Sequence, residues 1–219
     1  MDAYISGIIG EAITAHKIGG AIVAITKDGD TLLTKGFGQA SLRPHQNVDE
    51  TRHLFRLASI SKTFTWIALY QLMAQGEITL NDPINMHLPP DLQIPDQGFQ
   101  QPIRIKHLIR HQNGFEDLAL GHLFIQEGND VPTLHEYLSR YRPNRVREPG
   151  QLPSYSNYGV NLAGAVIAEK SGMPFEAYIE EHIFLPLGMG ESSFREPFTD
   201  ARLSALPPAD KERFAKALK

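Results

Sequence analysis

The sequence predicts an α+β fold, a mostly helical domain that opens with an N-terminal β-hairpin. Three observations carry this. Asp28-Gly29 lies between two strand-like runs, Ala21–Thr26 and Thr31–Phe37, and Asp-Gly in that setting is a strong hairpin-turn signal. Beyond residue 60, five segments combine apolar spacing with helix start and stop residues. Nothing repeats internally and no stretch is of low complexity. At 219 residues the chain is long enough for a substantial core, and residues 1–219 read as one domain.

In chain order, Asp2 to Lys17 carries Ile5, Ile8, Ile9, Ala12 and Ile13, a helical stripe. The hairpin follows. Ser61 to Gln75 is apolar on most sides (Phe64, Trp66, Ile67, Ala68, Leu69, Leu72, Met73), which predicts a helix buried in a large core. Asn81 to Gln101 is rich in Pro, Asp and Gln and reads as an irregular connection. Helices are expected at Ile103–Arg110, Leu134–Tyr141, Tyr158–Glu169 and Phe175–Ile183, with a short helix-like stretch over Ala209–Leu218 after Pro207-Pro208.

Chemistry concentrates in two places. Ser59-Ile60-Ser61-Lys62 stands where the extended segment Leu54–Ala58 gives way to the apolar helix. One helical turn puts Ser59 and Lys62 on the same face. A serine hydroxyl is a poor nucleophile until a base lies within hydrogen-bond reach, and a desolvated lysine can be that base. The N–H groups at the helix start can receive negative charge developing on a substrate oxygen. A serine N-cap followed by a solvated lysine is the plainer alternative. The second place is Glu148 to Gly159, a turn-rich loop entering a helix, with Tyr155-Ser156-Asn157 at its centre. A tyrosine beside an ammonium can hold a phenolate or pass a proton to a leaving group. Asn157 can orient both Lys62 and a substrate amide. A polar cap with a buried tyrosine is the alternative there.

Together these residues resemble the serine beta-lactamase and penicillin-recognising hydrolase family, in particular its class C branch with the related esterases and D-Ala-type peptidases. Other segments carry the likeness too: Gly20–Ile25, Asp28-Gly29-Asp30 and Gly36-Phe37-Gly38 in the opening hairpin; Phe55–Thr65 around Ser59; Gly76–Ile84; Ile105–Phe115, which the family usually writes with Thr-Ser-Gly; and Phe184–Met189. The likeness runs from about Met1 to Phe194. It implies a beta-lactamase/transpeptidase-like fold and a serine hydrolase working through an acyl-serine intermediate on an ester, amide or beta-lactam bond. On that pattern Ser59 is the nucleophile. Lys62 takes its proton directly or through Tyr155. Tyr155 protonates the leaving group, and Asn157 holds Lys62 and contacts the acyl side chain. Glu116-Asp117-Leu118 stands where class C enzymes place a glutamine that contacts the substrate amide, which points toward an esterase- or peptidase-like role.

The family's third motif, Lys-Thr-Gly or His-x-Gly on a late strand, has no counterpart in residues 1–219. In the family that strand supplies a second oxyanion donor. Lys170-Ser171-Gly172 follows a helical run and precedes Met173-Pro174, so its glycine reads as a helix C-cap. Lys27-Asp28-Gly29 belongs to the hairpin. The expectation is a domain incomplete at its C-terminus, with the last sheet strands missing. This leaves a second function class open, a catalytically incompetent fragment or non-catalytic domain that needs further chain or a partner to complete the site. An unpaired sheet edge would then favour self-association.

Composition excludes much else. A formal net charge of -4, with no basic stripe, argues against nucleic acid as a partner. Zero cysteines exclude disulfides, thiol catalysis and cysteine-ligated metals. No run approaches the roughly 20 apolar residues of a membrane span. Met1-Asp2-Ala3-Tyr4 lacks the features of a signal peptide. Related hydrolases are often exported, so the compartment is periplasmic or extracellular if a leader has been removed and cytoplasmic otherwise. No cofactor and no metal is expected. His107 and His111 have the i, i+4 spacing of a metal pair, but Leu108-Ile109-Arg110 between them lacks a catalytic glutamate. Glu116-Asp117, Glu180-Glu181 and the cluster Arg140, Arg142, Arg145 and Arg147 read as solvated surface. Phe115, Phe124 and Tyr158 suit a pocket or a core equally.

Overall fold

The structure, a computed structural model, describes residues 1–96, 98–117 and 131–195. Phe124 and the helix expected over 209–218 lie outside the described residues. The chain divides into two compact units, one holding Met1–Arg56 and the other Leu57–Thr199.

The first unit contains helix α1 (Asp2–His16) and the strands β1 (Gly20–Lys27), β2 (Asp30–Leu42) and β3 (His45–Asn47), which form an antiparallel sheet in the order β1-β2-β3. Asp28 and Gly29 both take positive φ, 53° and 89°. That is the type I′ geometry whose twist matches the flanking strands. Gly20 pairs with Gly38 and Lys27 with Asp30, with a one-residue slip in register between Ile25 and Thr26, and Gly36-Phe37-Gly38 lies within β2. β2 runs five residues past the expected end at Phe37, to Leu42, and β3 returns against it. The helical stripe on α1 is half-buried at Ile5, Ile9, Ala12 and Ile13, while Ile8 is exposed. Lys35 donates to Asp2 at 2.7 Å and to Ser6 at 2.9 Å, tying β2 to the start of α1.

The second unit contains a 3₁₀ turn (Ala58–Ser61), α2 (Lys62–Ala74), a 3₁₀ turn (Ile84–His87), α3 (Ile105–Ile109), α4 (Leu134–Arg140), α5 (Asn157–Ser171), α6 (Phe175–Ile179) and a π turn (Glu180–Phe184). Its core lies between α2 and α5. Ala68, Leu69 and Leu72 of α2 are buried with Leu162, Ala163, Val166 and Ile167 of α5, each large side chain contributing about 1.5–3 kcal/mol on burial. Phe115 and Tyr158 meet edge to face at 5.1 Å inside this core, which settles them as packing residues. α2 differs from the expectation of burial on most sides. α5, α6 and the π turn cover one face, and Ile67 and Tyr70 are left exposed. Gly172, with φ 67°, is the left-handed C-cap of α5, as expected for Lys170-Ser171-Gly172.

The turn after α3 is built on Gly114. Its φ is 82°, and a Cβ there would lie 2.3 Å from the Arg147 carbonyl oxygen. That backbone is held where it is, because the Val146 N–H donates to the Gly114 carbonyl at 2.9 Å. Gly114→Ala is therefore expected to lose at least about 2 kcal/mol through left-handed strain and overpacking. The shift in denaturant midpoint measures this, and an unchanged midpoint would contradict the packing described.

Candidate active site

Ser59 is placed by a short, tight turn. Ala58, the residue before it, has φ 46°, a left-handed conformation that costs a non-glycine residue about 1–3 kcal/mol and clusters at functional sites. The chain then makes the 3₁₀ turn Ala58–Ser61, and the Lys62 N–H donates to the Ser59 carbonyl. Side chains three apart eclipse in a 3₁₀ turn, so Lys62 stands over Ser59. Its Nζ donates to Ser59 Oγ at 2.9 Å. Ser59 is exposed and Lys62 half-buried.

The second segment arrives through Ser156. This residue is fully buried and extended, and its hydroxyl accepts the Gly159 N–H at 3.0 Å, capping α5. With Ser156 turned inward, Tyr155 and Asn157 project the other way. The Tyr155 hydroxyl donates to Ser59 Oγ at 2.7 Å, so Ser59 Oγ accepts from two side chains at once. Lys62 Nζ lies 4.9 Å from the Tyr155 ring centre. Burial pushes the Tyr155 phenol up, but its polar contacts with Lys62 and Ser59 and the Lys62 charge outweigh this and hold it below the ordinary phenol range.

Asn157 opens α5 beside Lys62, and both line a cavity of about 290 Å³ with Ala58, Thr65, Tyr137 and Val160. Among the described residues no hydrogen bond joins Asn157 to Lys62, so the expected orientation of the lysine by this amide is not seen. The structure thus brings Ser59, Lys62 and Tyr155 into direct contact and leaves Asn157 on the cavity wall. In the sequence His111 stands out by its i, i+4 spacing from His107. Its ring packs on Tyr155 with centres 4.6 Å apart, and its Nδ1 accepts the Ser156 N–H at 3.2 Å. For this place beside Tyr155, its position in the turn before Gly114 was the only signal in the sequence.

The other candidates take structural places. His107 is buried, and its Nδ1 accepts the Arg104 N–H at 3.2 Å at the start of α3. Among the described residues no group of three or more His, Asp or Glu could hold a metal ion. Arg145 is not solvated as expected. It is 8% exposed, because its guanidinium lies over the Phe99 ring at 4.2 Å. Glu116 accepts from the Asn144 amide at 3.3 Å. Among the described residues no helix is long and apolar enough to cross a membrane.

A family model described as Beta-lactamase matches residues 5–216. The chain belongs to the beta-lactamase family. Penicillin-binding protein 4* of Bacillus subtilis (strain 168) is 32% identical over 186 residues, which cover 81% of this chain and 38% of that protein. Esterase EstB of Burkholderia gladioli is 27% identical over 202 residues, covering 88% and 51%. The octameric penicillin-binding protein homologue from Pyrococcus abyssi matches with a TM-score of 0.77 at 28% identity, covering 94% of this chain and 47% of that one. The fold is the beta-lactamase/transpeptidase-like fold that the resemblance implied, and members of the family are hydrolases. The chain spans about half the length of the relatives it matches, or less.

The phenol of Tyr155 is expected to titrate below the usual tyrosine value, and Lys62→Met is expected to move it upward, since burial then acts without the opposing cation. Selective ¹³C labelling of the tyrosine Cζ reads this, and an unmoved midpoint would show that Lys62 does not set the phenol.

Proposed function

We propose that this chain carries the nucleophile half of a serine hydrolase site that forms an acyl-serine intermediate, with Ser59 as nucleophile, Lys62 and Tyr155 as its proton-transfer partners and Asn157 as a substrate-contacting residue. One observation carries the reading: Ser59 Oγ accepts from Lys62 Nζ at 2.9 Å and from the Tyr155 hydroxyl at 2.7 Å. A serine is activated when a group that can take its proton lies within hydrogen-bond reach, and two such side chains converge on Ser59 Oγ. Ser59 Oγ attacks a substrate carbonyl carbon. Its proton passes to Tyr155 in the phenolate form, which the Lys62 ammonium sustains, or to neutral Lys62. The oxyanion rests on the Ser59 N–H at the head of the 3₁₀ turn. When the intermediate collapses, the bond to the leaving group breaks and Tyr155 returns a proton to it. Water then hydrolyses the Ser59 ester.

The substrate is a small ester, amide or lactam. Esterase EstB and penicillin-binding protein 4* among the relatives bracket that range. Glu116-Asp117 near the site favours an ester or peptide-like amide over a lactam. No Lys-Thr-Gly or His-x-Gly strand is read in residues 1–219, and one oxyanion donor is worth about 10²–10³ in rate. This supports slow turnover by these residues alone, and it favours a second reading in which they need further chain or a partner to complete the site. The octameric homologue offers precedent for assembly in the family, and the outer edge of β1, which pairs with no other strand among the described residues, suits self-association.

Incubation with a fluorophosphonate is expected to add one adduct, mapped to Ser59 by peptide mass, and none in Ser59→Ala. Lys62→Ala should slow its formation by about 10²–10⁴, the usual worth of a positioned proton-transfer group. The rate should rise with pH through the lowered Tyr155 midpoint, because the deprotonated phenol is the accepting form. A folded chain that takes no label, or a label elsewhere than Ser59, would refute the hydrolase reading.

A further inference from the structure

His111 stands behind Tyr155 and touches no reacting atom. Its backbone has φ 52°, a conformation a histidine keeps only where its surroundings over-determine it. Three contacts do so. Its carbonyl accepts the Ser154 N–H at 2.6 Å, its Nδ1 accepts the Ser156 N–H at 3.2 Å, and its ring lies 4.6 Å from that of Tyr155 at 30°. Ser154 and Ser156 are the chain neighbours of Tyr155 on either side. The imidazole also meets Trp66 of α2 edge-on, with ring centres 6.1 Å apart. Tyr155 is thus gripped by its flanking backbone and by one ring face, with Lys62 near its ring as well.

We infer that His111, as a neutral imidazole, is the positioning residue that sets the Tyr155 hydroxyl on Ser59. This rests on the proposed roles of Ser59 and Tyr155. A backbone N–H can only donate, so Nδ1 must be unprotonated to receive Ser156. Protonation puts hydrogen on both ring nitrogens, removes that acceptor and sets a second cation beside Lys62. The groups facing the ring are Lys62 and Trp66 from α2 and Tyr155 and Ser156 from the loop. Among the described residues no carboxylate is hydrogen-bonded to it to offset a positive charge. Burial, and next the Lys62 charge, hold His111 below the ordinary histidine range. The neutral form therefore dominates at neutral pH, and the grip on Tyr155 loosens only in acid.

The test follows the ring resonances of His111 and Tyr155 by NMR from pH 4 to 8, alongside the rate of Ser59 labelling by a fluorophosphonate at pH 8. In the wild-type chain, His111 and Tyr155 are expected to shift at one common midpoint below the usual histidine value. His111→Phe keeps an aromatic ring but no acceptor. It should lose the Tyr155 inflection and label on the order of tenfold more slowly or worse, as expected for a misplaced group, with its helical circular dichroism intact. If His111→Phe unfolds, His111→Asn, which tolerates left-handed backbone and does not titrate, should show the same loss of inflection. Tyr155 resonances indifferent to the His111 titration, or labelling of the folded variant at the wild-type rate, would overturn the inference. If the wild-type chain is never labelled, the hydrolase reading fails separately, and the shared midpoint alone decides the positioning role.

Discussion

The inward turn of Ser156 is the constraint from which the site geometry descends. This buried hydroxyl caps α5 through the Gly159 N–H, while the residue's own N–H is spent on His111. With both groups committed, the flanking residues have only one side of the chain left to occupy. Tyr155 is directed onto Ser59, and Asn157 onto the wall of the cavity that Lys62 shares. A helix cap worth about 1 kcal/mol thereby fixes the meeting of two segments ninety-six residues apart.

Strain sits on both sides of that meeting. Ala58 before Ser59 and His111 behind Tyr155 are two of the four non-glycine residues with positive φ among those described. Each is held by a neighbour that needs it there: the 3₁₀ turn that eclipses Ser59 with Lys62 in one case, and the loop 154–156 in the other. Between them stand Lys62 and the Tyr155 phenol. The Lys62 charge favours the deprotonated phenol, against the burial that opposes it. On the proposed reading, the proton of Ser59 has a short route out through these two side chains.

Much of this was legible in the residues. Ser59-x-x-Lys62 and Tyr155-Ser156-Asn157 are compact patterns visible in the residues, and their resemblance to the serine beta-lactamase family agrees with the family match over residues 5–216. Asp28-Gly29 announced the hairpin because its turn type admits few other residues. The helices of the second unit were foreseen to within a few residues at their ends. What escaped depends on distant partners. Arg145 is buried only because Phe99 lies beneath it, a pairing with no periodic trace. The second strand is expected to end at Phe37, so neither its run on to Leu42 nor the return of β3 is foreseen. The place of His111 comes from ring stacking and a left-handed backbone angle, neither of which spacing can show. The exposed face of α2 leaves no trace, because an apolar helix looks the same in sequence whether one side or all sides are covered.

The central claim is that Lys62 and Tyr155 act on Ser59 Oγ as one unit. A double-mutant cycle on the second-order rate of Ser59 phosphonylation, with wild type, Lys62→Ala, Tyr155→Phe and the double variant, tests it most directly. Groups that act as a unit are strongly non-additive, so the double variant should react no more slowly than the slower single one. Losses that multiply would contradict the account, and would mean that the two side chains serve Ser59 independently.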